Sequence, residues 1–292
     1  MRSSIVDAPP RALSGAVGRA RPGPELHPST LWRGPAVLSW ADFDELIATP
    51  GRPLLARLDE FEDCLLVAGC AGAGTTAIAR LLKRTDGIVD HGFGHDDELD
   101  GALLLAGQVE RFDDGRHCFQ TTYLEERFHE YFEHHDFRLI WILREPCSVV
   151  GAMQNSWKRS ALDRLLPAGG GRPYPETLPR TVAGMASRLD RACAAYTECV
   201  RRTFEIAARL GRRAAIVDYD DLAARRSRLL PELCAFAGTR FDRRLLSHLH
   251  GKSVHKGHAG LAPWEEARIA ELALPAYRLA RALCTIGTAH GA

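Results

Sequence analysis

The stretch Val67–Leu82, "VAGCAGAGTTAIARLL", constrains this chain more than any other. It is preceded by "CLL", so Cys64–Ala68 is an apolar run without alternation, the pattern of a strand buried on both faces. The run enters a loop, Gly69–Gly74, and then an alanine- and leucine-rich helical pattern over Thr75–Arg84. A strand–glycine loop–helix junction surrounds an anion with backbone N–H groups at the helix N-terminus. Glycines are needed there because the backbone must take unusual dihedrals and approach the anion closely. Gly69, Gly72, Ala73, Gly74, Thr75 and Thr76 are therefore candidate phosphate-binding residues.

Further strands are expected at "GRHCFQTTY" (115–123), "FRLIWILR" (137–144) and "RAAIVDY" (213–219). Helical spacing separates them at 39–48, with a Ser39 cap, and at 98–106, 125–134, 148–159, 180–210, 229–237 and 263–283. Alternation of strands and helices predicts an α/β fold, a P-loop-type parallel sheet flanked by helices on both faces. The domain is expected over 37–292. Residues 1–36 are rich in Arg, Pro, Ser and Gly without an apolar signal region, and read as a disordered or loosely packed arm. "PAGGGRPYPETLP" (167–179) reads as a Gly/Pro loop in mid-chain.

The formal net charge of +1 excludes whole-chain electrostatic capture of nucleic acid, so any anion site must be local. The eight cysteines are scattered, mostly in apolar runs and without zinc spacing; they read as buried free thiols in a cytoplasmic protein with no metal site. No apolar run approaches the ~18 residues of a membrane span. The arginines at 188, 191, 201, 202, 209, 212 and 213 read as a solvated helix face.

Gly69 and Gly74 have the spacing of the GxxxxGK[ST] cradle, but Thr75 stands where its lysine belongs, which speaks against an ATPase or GTPase. "GCAGAGTT" (69–76) resembles instead the G-x-x-[R/K]-S-G-T-T loop of sulfotransferases. "LREPCSVVGAMQNSW" (143–157), "VDYDDLAARRSRLLPELCAFAG" (217–238) and "SVHKGHAGLAPW" (253–264) resemble later segments of that family, in the same order. The resemblance implies the donor 3′-phosphoadenosine 5′-phosphosulfate (PAPS), with its phosphosulfate end in the 69–76 loop. It implies Arg144 on the 3′-phosphate, with Lys256 and Gly257 closing over it. Arg144 also ends a buried strand, where doubly wound sheets place ligands. The resemblance leaves the acceptor unidentified, a small-molecule or glycan-type hydroxyl or amine entering near residues 90–101 and 160–178.

Three positions depart from the family pattern. Gly72 replaces the loop cation, and losing such a contact typically costs on the order of 10²–10³ in rate. Ala152 replaces a serine that joins the 3′-phosphate, for which Ser148 is the nearest substitute. Thr122 in "QTT" (120–122) stands where a histidine base would be. The base must then come from "DHGFGHDDELDG" (90–101), with Glu98 first and His91 second. Two alternatives stay open: a family member that binds adenosine 3′,5′-bisphosphate without turnover, and a P-loop kinase.

Overall fold

The computed structural model describes residues 39–92, 96–109, 115–155, 187–249, 258 and 260–287. The 1–36 arm, the 160–178 acceptor region, Lys256 and Gly257 lie outside the described residues. Five strands, β1 (Cys64–Gly69), β2 (Ile88–Val89), β3 (Arg116–Gln120), β4 (Phe137–Leu143) and β5 (Ala214–Asp218), form one parallel sheet in the order β2-β3-β1-β4-β5. Every residue of β1 and β5 is buried, which requires cover on both faces. The expected α/β fold class holds.

Nine α-helices surround it: α1 (Trp40–Ala48), α2 (Thr75–Leu82), α3 (Asp97–Leu105), α4 (Pro146–Asn155), α5 (Arg188–Leu210), α6 (Tyr219–Ala224), α7 (Arg226–Ala237), α8 (Pro263–Leu272) and α9 (Leu274–Arg281) among the described residues. Their starts follow from short polar side chains. Ser39, Asp96, Ser187 and Asp218 accept first-turn N–H groups of α1, α3, α5 and α6. Gly238, in the left-handed region at φ 64°, closes α7. The β4 side chain Trp141 is fully buried and donates through Nε1 to Thr203 Oγ1 of α5 at 3.0 Å, fixing that helix against the sheet.

Four expectations are corrected. The helix expected over 263–283 is two helices, broken at Ala273 (φ −114°, ψ −32°), where Pro275 follows and removes an amide donor. The segment expected as an α-helix at 125–134 is 3-10 helical over Thr122–Glu133 with a kink at Arg127. The arginine face of α5 is not simply solvated: Arg202 donates to the Glu125 carbonyl and lies 5.4 Å over Phe128, and Arg209 lies 4.2 Å over Phe132. The guanidiniums thus cover apolar rings of that segment. Finally, two of the eight cysteines are not free. Cys70 and Cys199 form a disulfide across 129 residues, while the other six are free and buried. Spacing along the chain cannot reveal a pair that only the fold brings together.

Candidate active site

The carboxyl ends of β1, β3, β4 and β5 meet at one edge of the sheet, with the central strand β1 flanked by β3 and β4. This is where open parallel sheets bind ligands. The β1–α2 loop occupies that edge, with Gly72 at φ 88° and Gly74 at φ 103°, both in the left-handed region. A Cβ at Gly69 would overlap the Ile142 carbonyl oxygen of β4. One at Gly74 would come within 2.5 Å of the Tyr219 ring. The loop is drawn in further by Ala73 N, which donates to Cys70 O at 2.9 Å. No side chain caps the N-terminus of α2, and Thr76 is exposed beside it. The result is a glycine-rich turn into an uncapped helix N-terminus, a geometry that can hold an anion.

Gly72 and Ala152, two departures from the expected pattern, face each other. A Cβ built on Gly72 would lie 3.5 Å from that of Ala152, so the loop approaches α4 closely. Arg144, just past β4, donates from Nη1 to Gly72 O at 3.2 Å. Its Nε lies 3.4 Å from Asp220 Oδ1, and its guanidinium stacks 4.7 Å over Tyr219. Tyr196 of α5 donates to the Arg144 carbonyl at 2.7 Å. Arg144 is thereby aimed along the loop rather than into solvent.

Ser148 is 2% exposed, and its Oγ has no hydrogen-bond partner among the described residues. An unpartnered buried hydroxyl on the first turn of α4 is a group that an anion could satisfy. The Glu145 carboxylate caps α4, accepting Cys147 N and Ser148 N at 2.9 Å each. His258 links Glu145 and Glu266, with Nε2 3.2 Å from one carboxylate and Nδ1 2.9 Å from the other. Burial alone would lower the His258 pKa; Glu266 and Glu145 outweigh it and raise it.

Beside the loop, on the β3 side, lies a second polar cluster. Gln120 ends β3 and donates from Nε2 to Glu98 Oε2 at 2.6 Å. The same nitrogen lies 3.3 Å from Thr75 Oγ1 and 3.2 Å from Thr122 Oγ1, and Thr122 donates to Thr75 at 3.2 Å. Glu98 Oε1 accepts Tyr123 N at 3.1 Å. Burial pushes the Glu98 pKa up to about 7, against the lowering effect of the Tyr123 and Thr122 hydrogen bonds. Glu98 is thus a carboxylate poised near neutrality, one shared amide from the cradle.

His91 takes a different place. Its ring is buried, 4.7 Å from Phe119, with Nε2 3.3 Å from Lys83 Nζ. Burial lowers its pKa well below the ordinary value, and the neighbouring Lys83 charge adds to that. It packs beneath α3, close to Gly101, as a neutral core histidine.

Sequence reasoning missed Gln120, Tyr219, Asp220 and the Glu145–His258 pair. Gln120 was discoverable, because it follows a buried strand run at the carboxyl edge of the sheet. The partnership of Asp220 with Arg144 needed the third dimension.

A parallel sheet with a glycine cradle after its central strand defines a P-loop-type α/β protein. The chain matches no family model and no curated protein. Among solved structures it is similar to a mouse sulfotransferase complexed with PAP, at 13% identity and TM-score 0.48, covering 81% of this chain and 94% of that one. It is also similar to the sulfotransferase domain of the Synechococcus PCC 7002 olefin synthase, at 14% identity and TM-score 0.48, covering 76% and 94%. A third is a sulfotransferase from Alicyclobacillus acidocaldarius, at 15% identity and TM-score 0.45, covering 76% and 95%.

Proposed function

We propose that this chain is a PAPS-dependent sulfotransferase acting in the cytoplasm on a hydroxyl or amine acceptor. The observation that carries the reading is the Glu98–Gln120–Thr75 connection, which joins a carboxylate of pKa about 7 to the phosphate cradle. Sulfuryl transfer to a hydroxyl needs both parts: an anion holder and a base within reach of it.

PAPS, when bound, supplies an activated sulfuryl group. The cradle amides of residues 69–76, with the Thr75 and Thr76 hydroxyls, would hold its 5′ end. Arg144 and Ser148 would hold the 3′-phosphate, together with Lys256 and Gly257. The orphaned Ser148 Oγ and the open cradle both fit an anionic ligand. Glu98 removes the proton from the acceptor, and its pKa near 7 leaves a large ionised fraction at neutral pH. Gln120 orients that carboxylate. Arg144, through its contact with Gly72 O, brings positive charge to a loop that carries none of its own. His91 is given no role in proton transfer.

A second reading, nucleotide binding without turnover, is favoured by Gly72 and by the neutral Gln120 at the strand end. Release of adenosine 3′,5′-bisphosphate from PAPS, followed across a panel of phenols, alcohols, amines and glycans, separates the two. Acceptor-dependent release that falls in Glu98→Gln supports transfer. Binding of PAPS with no release for any acceptor favours the second reading.

A further inference from the structure

The Cys70–Cys199 pair joins two parts of the candidate site through one helix. Cys70 follows Gly69 in the phosphate loop, and its carbonyl accepts Ala73 N, the bond that turns the loop. Cys199 lies on α5, three residues after Tyr196, so both side chains fall on one face of that helix. Tyr196 holds the Arg144 carbonyl at 2.7 Å. The same face of α5 therefore anchors the loop through sulfur and the arginine through a hydroxyl. The two Cα atoms are 5.8 Å apart, an ordinary span for a disulfide. The Glu125 carboxylate lies with both sulfurs, their ligand atoms within 4.8 Å of one another.

We propose that Cys70–Cys199 is a thiol–disulfide modification site that sets the anion affinity of the phosphate loop. This rests on the nucleotide reading of that loop. In the oxidised form the loop is fixed to the helix that positions Arg144, and the cradle is preformed. In the reduced form the loop is released from α5, and the competent arrangement is a smaller fraction of the population. The oxidant is a low-molecular-weight disulfide. One protein thiolate attacks it, forming a mixed disulfide and releasing one small thiol. The second protein thiolate then displaces the other small thiol and closes the Cys70–Cys199 bond. Two protein thiols lose two electrons and two protons in all, and the small disulfide becomes two thiols. A dithiol reverses the sequence. Cys70 is 2% exposed and Cys199 fully buried, so exchange needs the loop to open, and an anion in the cradle slows it.

The test uses the whole chain equilibrated with oxidised glutathione or with dithiothreitol. Non-reducing peptide mapping should show the Cys70–Cys199 link in the first and not the second; no link under oxidising conditions overturns the proposal. Calorimetric titration with adenosine 3′,5′-bisphosphate should give an affinity about fivefold weaker after reduction. Cys199→Ala should bind as weakly as reduced protein in either buffer. Equal affinities in the two forms overturn the redox proposal and leave the nucleotide reading standing. If neither form binds the bisphosphate, the nucleotide reading fails instead. The affinity claim falls with it, and faster amide exchange at Gly72–Thr76 on reduction would then show only that the disulfide orders the loop.

Discussion

Gln120 Nε2 donates to Glu98 Oε2 at 2.6 Å while remaining within 3.3 Å of the Thr75 hydroxyl on the first turn of α2. One amide thus touches both the candidate base and the candidate phosphate cradle. Since an –NH2 group has two hydrogens and this one faces three oxygens, its hydrogen bonds are shared and can shift between them.

Glu98→Gln removes the proposed base while keeping a side chain of the same size. Turnover is expected to fall by roughly 10²–10⁴ while bisphosphate affinity changes little. If Glu98 is the base, its ionised form is the active one, and kcat should rise with pH through about 7 and level off above it. The same raised pKa means that ionising Glu98 costs folding stability as pH rises from the unfolded carboxyl value toward 7. A pH–rate profile checks the first claim, and its rising limb should vanish in the variant.

Gln120→Ala removes a donor from the Glu98 carboxylate. Hydrogen bonding to the ionised form lowers a carboxyl pKa, so the rising limb should move to higher pH. A merely structural role for Gln120 would lower activity without moving the limb. The measurement is the pH profile of kcat, compared with that of the wild type.

Gly74→Ala places a methyl group where φ is 103° and a Cβ would sit 2.5 Å from the Tyr219 ring. A cost of about 1–3 kcal/mol in stability is expected from the backbone alone. Bisphosphate binding should fall with it, because Tyr219 carries the Arg144 stack. Denaturant unfolding and calorimetry read the two effects separately. Gly72→Arg, which would restore the cation of the sulfotransferase pattern, meets a similar obstacle at φ 88° and is a poor test of that charge.

His258 between Glu145 and Glu266 adds a pH dependence at the other end of the site. Its folded pKa is raised, burial opposing and the two carboxylates prevailing. The stabilisation is fully present below the ordinary histidine value of about 6.5 and is lost as pH rises through the raised value. Thermal unfolding of wild type and His258→Asn should therefore differ at pH 6 and converge at alkaline pH. A constant difference across that range contradicts the ion-pair account.

The elements that position the site were legible because their sequences are locally consistent. The uninterrupted apolar runs at Cys64–Ala68 and 137–144 read directly as buried strands, and Ser39 marked the start of α1. The glycines of the loop announced a backbone with positive φ, which Gly69, Gly72 and Gly74 all adopt. Contacts between distant segments were not legible. The Asp220 carboxylate reaches Arg144 across 76 positions, and Cys70 reaches Cys199 across 129; no local pattern encodes either. His91 shows the converse limit. A histidine in a polar stretch looked like a candidate base, but the fold puts its ring against Phe119 in the core.

In the proposed function the loop at 69–76 and Arg144 hold the two phosphate ends of adenosine 3′,5′-bisphosphate. Calorimetric titration with adenosine 3′,5′-bisphosphate, on wild type and Arg144→Ala, tests it most directly, with magnesium and ATP as the competing ligand. Micromolar binding by wild type is expected, about tenfold or more weaker in Arg144→Ala, since a charge-assisted hydrogen bond is worth ~1.5–3 kcal/mol. Binding of magnesium–ATP alone, or bisphosphate binding indifferent to Arg144, would contradict it.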